Sequence, residues 1–172
     1  SNDTGIDCIA IIVNGRIVNS IEEVDDLGSF NGYIEAKFVF IQSKTSSRFD
    51  SGAMLKFFDG VFDFFREEPK LPRNKQVSHK AKIVQHIYSL VRLITRGRPI
   101  CKLYYVTTGK WNNQDSNLSG IVESKKEKLL ETENFEKVDI YPLGSNELRK
   151  LYQSTISPIA TDVIIEKQIV LP

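Results

Sequence analysis

Three side chains in this sequence are placed to do chemistry together: Asp7, Gln42 and Lys44. Asp7 opens the apolar run 6–13, and Gln42 and Lys44 close the run 34–41. Strand side chains alternate faces, so Asp7 shares a row with Ile9, Ile11 and Val13, and Gln42 and Lys44 extend the row Ile34, Ala36, Phe38 and Phe40. Both rows are apolar and both should face a core. If the two strands are antiparallel neighbours, an acid, an amide and an ammonium meet at one rim of a sheet. There they need one another, a metal ion or water. Such a set suits phosphodiester hydrolysis, in which a divalent ion polarises the phosphate and activates water. Magnesium prefers carboxylate and carbonyl oxygens and keeps several waters. Asp7 would bridge one or two ions, and Gln42 would offer its amide oxygen or act through a metal-bound water. Lys44 would orient the attacking water or stabilise charge on a phosphorane-like transition state. Read as structure alone, Asp7 and Lys44 would instead form an ion pair at a sheet edge, and spacing leaves both readings open.

The elements that must position these residues are legible nearby. Asn14-Gly15 marks a hairpin leading into 16–19, and Ser20 with Glu23 reads as a capping box for a short helix ending near Gly28. Asn31-Gly32 then turns the chain into the strand that carries Gln42 and Lys44. Asp50 caps a helix running to about residue 67, with Met54, Phe58, Val61 and Phe65 on one stripe, widened by Phe57, Phe62 and Phe64. At helical spacing these aromatics read as core, or as part of a homodimer interface, rather than as a base-stacking platform. Pro69 and Pro72 precede a helix capped by Asn74 and ending at Gly97, with Val77, Val84, Ile87, Val91 and Ile94 on its buried side. Pro99 leads into a strand at 100–106, whose continuous apolar run predicts a central position. A loop at 107–115, a helix at 117–131, a strand at 137–142 and a helix at 145–153 follow. A last run, 162–171, reads as a strand or an exit segment. The order predicts an α/β fold, with a mixed central sheet flanked by helices.

The chain has 172 residues, 41% apolar and 26% charged, enough for one domain with a substantial core. No apolar run approaches the roughly 20 residues that span a bilayer, so no membrane partner is expected. Cys8 and Cys101 each sit in an apolar strand without any C-x-x-C pairing, which predicts buried free thiols in a reducing cytoplasm. The net charge of +1 hides a segregation. Lys70, Arg73, Lys75, Lys80, Lys82, Arg92, Arg96, Arg98, Lys102 and Lys110 occupy one stretch without an acid, leaving 13 basic against 22 acidic residues, a net of −9, elsewhere. Such bias is either the footprint of a phosphate-rich partner or a solvated helix face balanced by acids in space.

Other arrangements carry less. Thr107-Thr108-Gly109-Lys110 lacks the upstream glycine of a phosphate loop and has Trp111 where Ser or Thr is needed, so it reads as a loop after a strand. His79 and His86 are seven apart on one helix, roughly 10 Å along its axis, which suits neither a shared metal nor a dyad. Ser46 and Ser47 have no histidine-based arrangement to activate them, which argues against a serine hydrolase.

An Asp after Gly-Ile, followed by a strand ending Gln-x-Lys, resembles the PD-(D/E)xK nuclease superfamily in its variant with Gln for the second acid, as in Mrr-like restriction enzymes. More narrowly, four segments resemble the N-terminal region of AIPR proteins, bacterial proteins associated with abortive infection and phage resistance. They are Gly5-Ile6-Asp7, Phe40-Ile41-Gln42-Ser43-Lys44-Thr45-Ser46, Lys56-Phe57-Phe58-Asp59-Gly60 and Leu103-Tyr104-Tyr105-Val106-Thr107-Thr108-Gly109. The resemblance runs to about Tyr152. It implies a restriction endonuclease-like fold with Asp7, Gln42 and Lys44 as catalytic positions, Asp7 and Gln42 as metal ligands, and Mg2+ (or Mn2+) as the ion. That fold begins with a helix, often carrying a further acid. Only six residues precede Asp7, so the helix is expected to be lacking, with Asp3 the one nearby substitute. Family members are longer, so residues 3–172 are expected to be a single nuclease-like domain whose partners include a C-terminal region of the same protein. The resemblance thus implies a cytoplasmic, Mg-dependent endonuclease acting on DNA, or on RNA, in defence against phage. The basic residues from Lys70 to Arg98 would contact phosphates. The alternative is a non-catalytic module that keeps a nuclease-like fold and binds nucleic acid or protein.

Overall fold

The apolar rows read in the sequence lie on one face of a five-stranded sheet. The computed structural model describes residues 4–156. In chain order the elements are β1 (Cys8–Val13), β2 (Arg16–Val18), α1 (Ile21–Asn31), β3 (Ala36–Lys44), α2 (Ser51–Phe64), α3 (Lys75–Ser89), β4 (Ile100–Thr107), α4 (Ser116–Leu130), β5 (Lys137–Leu143) and α5 (Ser145–Ile156). The sheet order is β2-β1-β3-β4-β5. β1 runs antiparallel to both its neighbours, whereas β3, β4 and β5 are parallel. The β1–β2 turn uses Asn14 (φ 50°) and Gly15 (φ 81°), the left-handed pair that matches the twist of a two-residue hairpin. The parallel strands are joined through α2 and α3 and then α4, as helical crossovers require. This is the mixed α/β sheet with flanking helices that the element order predicts.

Register places Ile11, Phe38, Cys101 and Val138 in one cross-strand row, each 0% exposed. α1 to α4 all contribute to the same core, through Val24, Met54, Phe57, Val84, Ile87 and Val122. The rings of Phe64 and Phe65 meet Phe40 edge-on at 5.1 and 5.5 Å, so the aromatic helix is core. Its start is fixed by Asp50, which accepts from Ala53 N at 2.7 Å. Asn74 does the same for α3, accepting from Val77 N at 2.8 Å. The capping box at α1 closes in both directions, Glu23 N to Ser20 Oγ (3.2 Å) and Asn19 N to Glu23 Oε2 (2.6 Å). No helix among the described residues is long and apolar enough to cross a membrane.

Several boundaries differ from the sequence expectation, each for a tertiary reason. α1 continues to Asn31 because Gly32 (φ 74°) caps it, its N–H reaching Gly28 O at 2.8 Å; Asn31-Gly32 ends a helix rather than making a strand turn. α2 stops at Phe64, where the Asp63 carboxylate draws the chain back by accepting from Lys70 N (2.7 Å) and Leu71 N (3.2 Å). α3 stops at Ser89 instead of running to Gly97. Leu90 leaves helical geometry, a short 3-10 turn spans Val91–Leu93, and Leu93 O accepts from Ile34 N at 2.8 Å at the entry to β3. Cys101 is buried as expected, but Cys8 is exposed, because it points to the face of the sheet opposite the helices. The run 162–171 lies outside the described residues.

The approach to Asp7 depends on a close backbone contact. Thr4 is buried against α2 at Gly60, where a Cβ would stand 2.0 Å from Thr4 O. Gly60→Ala should therefore cost about 1–3 kcal/mol, as overpacking against rigid neighbours does. The expected readout is a lower urea midpoint at unchanged slope; an unchanged midpoint would show that this segment is not held against α2.

Candidate functional site

The antiparallel register pairs Cys8 with Ile41, and Asp7 N donates to Ile41 O at 2.9 Å. This brings the Asp7 carboxylate beside Gln42. Asp7 Oδ2 accepts from Gln42 Nε2 (2.7 Å), Ser43 N (2.7 Å) and Ser43 Oγ (3.1 Å). Three donors on one oxygen hold the carboxylate in place, while Oδ1 has no hydrogen bond among the described residues. Ser43 was only the spacer of the Gln-x-Lys triplet in the sequence. Its signal there was slight: a small side chain with its own donor at the end of an apolar strand.

Gln42 is 1% exposed, and its amide is oriented by two acceptors, since Nε2 also donates to Ser43 O at 3.1 Å. Oε1 is buried and has no hydrogen-bond partner among the described residues. A buried unpaired acceptor costs about 1–3 kcal/mol, and such atoms are uncommon in folded proteins. Turning the amide over would not relieve this, because it would set an oxygen against the oxygens of Asp7 and Ser43. Lys44 extends the row beyond Gln42 and lies beside Thr107 in register. It is half-buried, and has no ion pair or hydrogen bond among the described residues. The Asp7–Lys44 ion pair allowed by the sequence does not form, because Asp7 takes its partners from Gln42 and Ser43.

The Asp7 carboxylate and the Ser43 carbonyl are oxygens of the kind a hard cation takes. No three His, Cys, Asp or Glu side chains cluster among the described residues as metal ligands. Asp7 Oδ2 and Ser43 O both accept from Gln42 Nε2, so the amide presents its nitrogen to them, and Oε1 would join them as a ligand only with the amide turned over and a cation between the oxygens. Magnesium is commonly held by one or two carboxylates and keeps water in its remaining positions.

Beside Asp7 lies a cleft of about 500 Å³, bounded by Asn19, the first turn of α3, His79 and Lys80. Of the basic stretch, Lys75 and Lys80 line this cleft. Lys80 Nζ is engaged with Asn19 Oδ1 at 2.7 Å, and His79 Nε2 with Asn19 O at 2.7 Å, so the two pin the β2–α1 corner. Lys82 is exposed further along α3, and Lys70 is exposed before it. Arg73 turns inward: Nη2 donates to Asp63 O and Phe64 O, both at 2.9 Å, and desolvation lowers its pKa against the opposing pull of Asp63. Arg92, Arg96 and Arg98 stand at the far end of the sheet. There Arg96 lies 3.5 Å over the Tyr33 ring, and Arg98 Nη1 donates to Glu133 O at 2.8 Å. The basic stretch therefore does not gather at Asp7 as one patch.

The Thr107–Lys110 segment is a structural latch, not a phosphate loop. Thr108 N and Oγ1 reach Ser46 O at 3.1 and 2.9 Å, tying the loop after β4 to the loop after β3. His86 Nε2 meets Asp25 Oδ1 at 2.6 Å on the outer side of the helices. Comparison with protein-family models, curated proteins and solved structures finds no match for the chain.

Gln42→Glu tests the geometry directly. It would set a second carboxylate 2.7 Å from Asp7 Oδ2, and two such groups cannot both ionise cheaply. The shared carboxyl pKa should rise on folding, so stability is present at acid pH and lost as pH rises through that value. The expected result is a melting temperature that falls from pH 5 to pH 7 more than in the parent and is restored by Mg2+. A variant that melts like the parent at both values would show that residues 7 and 42 are not in contact.

Proposed function

We propose that this chain is a metal-dependent nuclease domain of the restriction endonuclease-like type, hydrolysing phosphodiester bonds of DNA, or of RNA. The observation that carries the reading is the buried, unpaired Oε1 of Gln42 beside a carboxylate already fixed by three donors. Polar groups left short of partners inside a fold tend to mark functional sites. Asp7 and Gln42 would hold the ion, with the Ser43 carbonyl beside them. A bound Mg2+ or Mn2+ supplies a polarised phosphate and a more acidic water. The remaining work falls to the chain itself. Ser43 keeps the carboxylate from rotating away, and Lys44, without a partner among the described residues, donates to the attacking water or to a phosphate oxygen. Lys75 and Lys80 would meet the substrate backbone in the cleft beside Asp7. The four segments resembling AIPR proteins support the same assignment, and a role in anti-phage abortive infection rests on that resemblance.

One observation favours the other reading, a binding module that kept the fold: Asp7 Oδ2 is fully satisfied by donors of the protein itself. Cleavage assays separate the two. Plasmid DNA and single-stranded RNA incubated with Mg2+ or Mn2+ should be cut by the parent protein, and not in EDTA. Asp7→Ala and Lys44→Ala should each slow cleavage about 100-fold or more, with Lys44→Ala keeping the parent's melting temperature and Asp7→Ala lowering it, since three donors lose their acceptor, while remaining folded. Equal cleavage by both variants would discard the nuclease. A folded parent that binds DNA with steep salt dependence yet cuts neither substrate would select the binding module.

A further inference from the structure

The side of α2 turned away from the sheet carries two cavities that share no lining residue with the cleft beside Asp7. The larger, of about 430 Å³, is walled by Leu55, Leu71, Pro72 and Thr4. The smaller, of about 190 Å³, is walled by Phe62, Arg66, Lys70 and Lys128. They adjoin, because Asp59 and Leu71 line both. Together they have the size of a small-ligand site, which runs from about 300 to 1,000 Å³. Thr4 is buried against Gly60, so the larger cavity also reaches the segment that leads to Asp7.

The two halves differ in chemistry. Leu55, Leu71 and Pro72 give the larger one apolar walls. In the smaller one the Arg66 guanidinium lies 5.2 Å, and Lys128 Nζ 4.6 Å, from the centre of the Phe62 ring. The ring holds both cations at the cavity without neutralising them. Neither of these nor Lys70 has a carboxylate partner among the described residues. Two acids share the walls, and both are engaged. Asp59 Oδ1 is ion-paired with Lys125 Nζ at 2.6 Å, and the two Asp63 oxygens accept from Lys70 N and Leu71 N at 2.7 and 3.2 Å. Glu67 and Glu68 follow Arg66 in the chain but are exposed and outside the lining. The last carbonyls of α2, the negative end of its dipole, are answered by Arg73, which donates to Asp63 O and Phe64 O. Three cations without a counter-charge thus surround one small cavity and repel one another. A phosphate monoester, with about −1.5 to −2 charges at pH 7, would offset them. Asp59 Oδ2, where the halves meet, takes no hydrogen bond among the described residues and offers an acceptor to a hydroxyl.

We infer that these joined cavities bind a nucleoside monophosphate. Its phosphate sits among Arg66, Lys70 and Lys128, its base lies against Leu55, Leu71 and Pro72, and a ribose hydroxyl donates to Asp59. The assignment does not depend on the chemistry at Asp7, so it is tested in EDTA, where no metal-dependent cleavage occurs. Titration calorimetry of the full chain uses adenosine and guanosine 5′-monophosphate, beside adenosine, inorganic phosphate and octyl phosphate. At least one nucleotide should bind about tenfold or more tightly than any of the other three probes. Lys70→Glu and Lys128→Glu, at exposed positions, should each weaken that binding about tenfold and keep the parent's melting temperature. Lys82→Glu, an exposed charge change on α3, should leave it unchanged. If a glutamate variant melts early, Lys128→Gln decides, by a loss of binding or by none. Binding unaltered at Lys70 and Lys128, or weakened as much by Lys82→Glu, overturns the proposal. So does failure of both nucleotides to bind at millimolar concentration. Inorganic phosphate binding as tightly as the nucleotides would make this a simple anion site, and octyl phosphate binding more tightly would make it a lipid-like one; either result overturns the assignment.

Discussion

The antiparallel register of β1 against β3 is the constraint on which the candidate site depends. Ile9, Ile11 and Val13 face the helices opposite Phe40, Phe38 and Ala36. Because strand side chains have a period of two, a slip by one residue would turn this whole set out of the core. The apolar row therefore fixes the register, and the register fixes which face Asp7 occupies. The hairpin end adds a second lock: Asn14 Nδ2 donates to Tyr33 O at 3.0 Å, and Asn14 Oδ1 accepts from Glu35 N at 2.8 Å. A carboxylate and an amide are thus held together at the rim by hydrophobic burial further along the same two strands.

Buried polar groups elsewhere show how unlike that rim is. Asp63 is 5% exposed, yet both of its carboxylate oxygens accept main-chain N–H bonds, and Arg73 closes the same corner by donating to two carbonyls. That cluster ends α2 and starts the path to α3, so it is spent on structure. Among the described residues two other buried side-chain atoms lack hydrogen bonds, Arg73 Nε and Asp139 Oδ2. Each belongs to a charged group that is otherwise engaged: Arg73 donates through Nη2, and Asp139 Oδ2 is itself ion-paired with Lys137 Nζ at 3.0 Å. Gln42 is neutral and bonded on its nitrogen side alone, so its oxygen has no such compensation. Local rules broken without a structural gain tend to concentrate at functional sites.

What the sequence made legible was what local physics decides. The hairpin at Asn14-Gly15, the caps at Ser20, Asp50 and Asn74, and the strand rows leading to Asp7, Gln42 and Lys44 all follow from residue type and period. What it hid was decided at a distance. The helix at Asn74 ends at Ser89 because Leu93 is needed by Ile34 at the entry to β3, which no window of sequence contains. Cys8 was misplaced because β1 is apolar on both faces, so alternation could not show that only one is covered by helices. Ser43 looked like a spacer because its partner, Asp7, is 36 positions away in sequence.

The basic stretch shows how linear charge becomes geometry. α3 begins at the cleft beside Asp7 and runs back along the sheet, so its end lies near Ile34, which adjoins the opposite end of β1. α3 alone separates Lys75 from Ser89 by roughly 20 Å, and Arg92 lies past its end in the short 3-10 turn. Along a duplex strand the helix is about six base pairs long at 3.4 Å each. On the proposed reading, a nucleic acid lying along α3 would be met at its cleavage point by Lys75 and Lys80, and again more than half a turn away by Arg92 and its neighbours. A short single strand seated at Asp7 would reach only the first group. If the proposed reading holds, that separation suits a duplex lying along the helix better than a short strand entering the cleft end-on.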